Sequence, residues 1–76
     1  MKYYQLTGGF DQYQKFTGAL IRADHTSHEE WFFDARVNEW VPIGIMLNYF
    51  WPESPECGMY KELTEREAMQ MIKNVG

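Results

Sequence analysis

The chain has 76 residues, a formal net charge of −4, one Cys, and five Tyr, five Phe and three Trp. That length holds a single domain, 1–76, with a small core, and the negative charge opposes direct contact with a phosphate backbone. The unpaired Cys57 excludes an internal disulfide and fits a reducing compartment, so a cytoplasmic protein is expected.

The opening residues turn polar and glycine-bearing by Thr7-Gly8-Gly9, which leaves no apolar core for a signal peptide. Before that, Lys2 to Thr7 alternates, with Tyr4 and Leu6 on one side and Tyr3 and Gln5 on the other, as a short strand does. Phe10, Tyr13 and Phe16 follow at a spacing that suits a loop or helical turn pinning rings against a sheet. Gly18 to Asp24 alternates again and runs into the polar cluster Asp24-His25-Thr26-Ser27-His28, which predicts a strand entering a hairpin.

Glu29 to Ala35 is the clearest strand pattern. Trp31 and Phe33 share one face, and Glu30, Phe32 and Asp34 share the other. Phe32 is out of place between two carboxylates, so its ring either lies under another element or is offered to a partner. Arg36 to Glu39 predicts a turn with Asn38 at positive φ, and Trp40-Val41 a brief return strand that Pro42 ends. A short helix is expected near 43–50, with Ile43, Met46, Leu47 and Phe50 on one stripe, stopped by Pro52.

After two Pro-linked turns, Met59 to Leu63 reads as a last strand. Thr64-Glu65-Arg66-Glu67 then fits a capping box, with Leu63 and Ala68 placed as a hydrophobic staple. Ala68, Met71, Ile72 and Val75 form an i, i+3, i+4, i+7 stripe, predicting a helix over 65–74. Strands followed by a short strand and a Thr-Glu-x-Glu-Ala helix resemble small uncharacterised bacterial and phage proteins. The resemblance covers mainly Met59 to Lys73 and implies a bacterial or phage origin, with no activity attached to it.

The fold expected is α+β: a small antiparallel sheet of three to five strands, the short helix near 43–50, and the capped helix 65–74 packed on one face. Chemistry is sparser. Asp24 to Glu30 gathers two imidazoles and several carboxylates at a hairpin tip, but a metal site wants three or four converging ligands on a supported scaffold. Cys57 has the carboxylate of Glu56 beside it, which opposes thiolate formation. Gly8-Gly9 and Gly44 do not make a phosphate loop, and no cofactor signature is present. Trp31, Phe33 and Trp40 could form a base-stacking platform, yet Glu29, Glu30, Asp34 and Glu39 surround them where a basic groove is needed.

The function expected is therefore a small non-enzymatic protein-binding module, an adaptor or inhibitor. Its interface candidates are Phe32, Glu30, Asp34, Tyr49 and Trp51, because Trp and Tyr dominate interface hot spots. Open sheet edges make a homodimer a further expectation. Two alternatives remain: an acidic nucleic-acid mimic that inhibits a nucleic-acid-binding protein, and a small metal- or carboxylate-dependent enzyme using the 24–34 hairpin. No membrane partner is expected, since the longest apolar run, Ile43 to Leu47, is far short of the ~20 residues a spanning helix needs.

Overall fold

A computed structural model describes residues 1–75, and side chains through Lys73. The Val75 side chain, the last position of the expected stripe, lies outside the described residues. The elements are β1 (Lys2–Leu6), a 3₁₀ segment (Asp11–Phe16), β2 (Leu20–Asp24), β3 (Glu29–Asp34), β4 (Glu39–Ile43), α1 (Met46–Phe50), β5 (Tyr60–Leu63) and α2 (Glu65–Val75). All strand pairs are antiparallel, in the order β4-β3-β2-β1-β5. Five strands and a C-terminal helix make this a small α+β fold.

The first four strands are neighbours in chain order. β5 instead pairs with β1 on the far edge, so the chain leaving β4 must cross the whole sheet, and residues 44–59 do so, carrying α1 over one face. Register then sorts the side chains. One row runs Glu62, Tyr4, Ile21, Phe32, Val41, and the adjacent row runs Leu63, Tyr3, Arg22, Trp31, Pro42. Successive strand residues alternate faces, so both faces of this sheet carry large apolar residues and each needs a cover.

On the first face Tyr4, Leu6, Ile21 and Ala23 are buried against Met46 and Tyr49 of α1, with Tyr13, Phe16 and Phe32 packed alongside. Phe32 is thus accounted for: it lies under the 3₁₀ segment, edge-on to Phe16 at 6.1 Å. Gly9 permits that segment to close, because a Cβ there would stand 2.5 Å from the Tyr13 carbonyl oxygen. On the second face Tyr3, Leu20 and Leu63 are buried with Ala68, joined by Phe33, Trp40, Met71 and Ile72. The capping box forms as its spacing requires: the Glu67 amide donates to Thr64 Oγ1 at 3.1 Å and the Thr64 amide to Glu67 Oε1 at 2.9 Å.

Two sequence expectations need correction. Pro42 does not end the ladder, since it pairs with Trp31 inside β4 and Ile43 pairs with Glu30. β4 is an edge strand, where a residue without an amide proton is tolerated. The short helix consequently begins at Met46 rather than at 43, and the expected stripe changes with it.

Candidate functional site

The α1 helix has only five residues, Met46–Phe50, far too few for a helix to stand alone. It has no capping side chain of its own. Glu30, sixteen positions away, supplies the cap: its Oε1 accepts the amides of Ile45 at 3.1 Å and Met46 at 3.0 Å. A carboxylate at that end also meets the positive pole of the backbone dipoles.

The side of the helix is fixed by Glu56, whose residue is only 3% exposed. Its Oε2 accepts the Phe10 amide at 3.1 Å, and its Oε1 accepts the Asn48 side-chain amide and the Ser54 hydroxyl. One buried carboxylate thereby ties the Gly9–Phe10 loop, α1 and the Ser54 turn together. A buried carboxyl group is tolerated when several donors satisfy its oxygens. Beneath the helix the fully buried Tyr49 donates from its hydroxyl to the Gly8 carbonyl at 2.9 Å and meets Tyr13 edge-on. Burial first, then Glu56, then Tyr13 push the Tyr49 phenol above its ordinary range.

These three anchors set the rotation of α1. Met46 and Tyr49 point inward with no exposure, while Leu47 (70% exposed), Phe50 (37%) and Trp51 (55%) point outward. The expected stripe of Ile43, Met46, Leu47 and Phe50 is divided: Met46 is buried, Leu47 and Phe50 are exposed, and Ile43 belongs to β4. Tyr49 is corrected as well: a fully buried ring offers no surface to a partner. Leu47 and Phe50 sit at i, i+3 on the helix, and Trp51, the extended C-cap residue, lines the surface on the other side of Leu47. Phe50 is the partly seated member of the three, edge-on to Tyr4 at 5.6 Å and to Tyr60 at 5.2 Å.

Of the five interface candidates, Trp51 alone presents its ring at this surface. Glu30 contributes from the adjoining wall as the helix cap. Phe32 is half-buried under the 3₁₀ segment. Asp34 lies at the opposite end of β3 and is engaged by Arg36, whose amide and Nε donate to Oδ1 at 3.0 and 3.2 Å and whose Nη2 donates to Oδ2 at 3.1 Å. Those bonds hold the Asp34 carboxyl below its ordinary range. Two important residues escaped the sequence reading. Leu47 shares one apolar stripe with Met46 in the sequence, with nothing there to separate the buried member from the exposed one, and Glu56 carries no local signal, because its partner Phe10 is 46 positions away.

Beside α1 the β2–β3 turn closes a groove of about 480 Å³. The Thr26 amide donates to Asp24 Oδ1 at 2.9 Å, and that bond, ahead of other causes, keeps the Asp24 carboxyl below its ordinary range. His25 Nε2 is 3.1 Å from the Tyr4 hydroxyl, and His28 holds φ at 63° in the turn. Among the described residues no three or more His, Cys, Asp or Glu side chains come together as metal ligands. Cys57 is free and exposed.

The proposed stacking platform is also occupied from within. Arg22 lies between two indoles, its guanidinium carbon 4.7 Å from the Trp31 ring centre and 4.6 Å from that of Trp40. Its Nε is buried with no acceptor. Phe33 and Tyr3 close on Trp40 from other sides.

The architecture is that of a five-stranded antiparallel sheet covered by α1 and the 3₁₀ segment on one face and by α2 on the other. No family model matches the chain, and neither a curated protein nor a solved structure is similar enough to count as a match. Among the described residues no helix is long and apolar enough to cross a membrane.

Proposed function

We propose that this chain is a small non-enzymatic protein-binding module, cytoplasmic and of bacterial or phage origin, that acts as an adaptor or inhibitor by docking a partner on the outward face of α1. One observation carries the reading: Leu47, Phe50 and the C-cap residue Trp51 stand exposed on a short helix that the half-buried Glu30 holds at its N-terminus and the buried Glu56 holds at its side through Asn48. Isolated exposed apolar residues are common, whereas a contiguous set on a rigid support is the form of an interaction site. A helix whose position is fixed in advance also loses little freedom on binding.

Support for binding over turnover comes from the carboxylates themselves. Of the acids in the 24–34 hairpin, Asp24, Glu30 and Asp34 are occupied with backbone amides or with Arg36, which leaves Glu29 without an unengaged carboxylate partner beside it for paired acid–base chemistry. A net charge of −4 is mild for a nucleic-acid mimic, which weakens that alternative.

The test is affinity capture from a bacterial lysate with the wild type, a Leu47→Ser/Trp51→Ser variant, and Val37→Ser as a control. Val37 is as exposed as Trp51 but lies at the β3–β4 turn. A protein retained by wild type and Val37→Ser and lost by the folded double variant supports the reading. Equal retention by all three, or turnover abolished by Asp24→Asn, contradicts it.

A further inference from the structure

We infer that the groove beside α1 receives a lysine or arginine side chain from the partner, so that the partner's docking segment is basic and apolar; this rests on the docking face proposed above. The groove is lined by the apolar Ala23, Leu47 and Phe50 and by the acidic Asp24, Glu29 and Glu30, with His25 and His28 at the turn and no Lys or Arg. Apolar and anionic lining in one groove match the two parts of a long cationic side chain. The methylene stem covers apolar surface and the charged head stays at the polar margin. The Phe50 ring adds a face over which a cation is favoured.

Two of these three carboxylates are held in place. Asp24 is kept ionised by the Thr26 amide, and the Glu30 carboxylate is oriented by two amides through one oxygen, Oε1. With a chain charge of −4, the field steers a basic segment toward this face and repels an acidic one. The field also disfavours a second copy as the occupant. A two-fold pairing through one face sets the same patch against itself, which here opposes Asp24, Glu29 and Glu30 with their own duplicates.

The experiment is amide NMR titration of the ¹⁵N-labelled protein with three blocked peptides: Leu-Lys-Leu-Arg-Leu, the same peptide with Gln at both charged positions, and the same with Glu. The basic peptide should give saturable shifts confined to residues 23–30 and 44–51. The Gln and Glu peptides should bind about fivefold weaker or worse, as expected for losing two partly screened ion pairs. Asp24→Asn/Glu29→Gln should reduce that preference about twofold or more while preserving the turn and the helix cap, since Asn can accept the Thr26 amide and Glu30 is untouched. An unchanged preference would overturn the cationic occupant. Equal binding of all three peptides would overturn the cationic occupant and leave the apolar docking face standing. No saturable shift with the basic peptide would overturn it too, while lysate capture would still decide the docking face separately. Concentration-dependent shifts at the same residues without peptide would show that a second copy fills the groove, and would also overturn it.

Discussion

The two helices of this protein are built on opposite plans. α2 carries its own instructions: the Thr64–Glu67 box starts it, and Ala68, Met71 and Ile72 seat it on Tyr3, Leu20 and Leu63. α1 carries almost none. Its N-terminal amides are held by Glu30 from β3, its side by Glu56 from the following loop, and its base by the Tyr49 hydroxyl on Gly8. The surfaces differ accordingly. The outward side of α2 is mostly polar, with Glu65, Arg66, Gln70 and Lys73 exposed, whereas that of α1 is Leu47, Phe50 and Trp51. A helix that specifies itself can spend its outer face on solubility. One held by distant groups has its outer face open to another use, and here that face is apolar.

The contrast is broken most severely at Tyr49. Tyr49→Ala empties a fully buried site and is expected to cost about 3–5 kcal/mol by denaturant unfolding, while Tyr49→Phe, losing only the bond to Gly8, is expected to cost about 1 kcal/mol. Next comes Glu56→Gln, which sets an amide donor against one of the donors that Glu56 now receives. A loss of about 2 kcal/mol is expected, with amide exchange rising at 46–51 and unchanged in α2. Glu30→Ala should free the Ile45 and Met46 amides for about 1–2 kcal/mol, again felt first at α1. Thr64→Ala is the mirror case, costing about 1 kcal/mol and felt at 65–68 alone.

The smallest effects sharpen the contrast through pH. Glu67 titrates below its ordinary range, first because of the Thr64 amide. Its contribution is therefore complete above the ordinary carboxylate value and fades as pH falls through the lowered one. Acid should loosen the first turn of α2, and Thr64→Ala should remove most of that local response. Tyr49 and Tyr4 are shifted upward, both chiefly by burial. Their contribution is complete below the ordinary phenol value and is lost as pH rises through the raised one, so alkali should loosen the α1 face first. Exchange rates read locally at each helix separate the two responses.

The sequence made α2 legible because everything that places it lies within a dozen residues: a capping box, a staple and a 3.6-residue stripe. The strands were legible for the same local reason, since alternation in Lys2–Leu6 and Glu29–Asp34 is visible without partners. What was lost depended on neighbours remote in sequence. Pro42 looks like a terminator until β4 is known to be an edge, and Tyr49 looks like an outer ring until Gly8 lies beneath it. The candidate site was legible only in Trp51 and, for a different reason than supposed, in Glu30. Leu47 could not be assigned, because the rotation of a five-residue helix is decided by Glu30 and Glu56 rather than by its own pattern.

The most direct test of the α1 docking face is amide hydrogen exchange on the protein alone and in complex with the partner it retains in lysate capture. Protection on binding at residues 44–51, extending into 23–30, is the predicted result. Protection confined to α2 or to the β3–β4 turn, with α1 exchanging as it does in the free protein, would contradict the account.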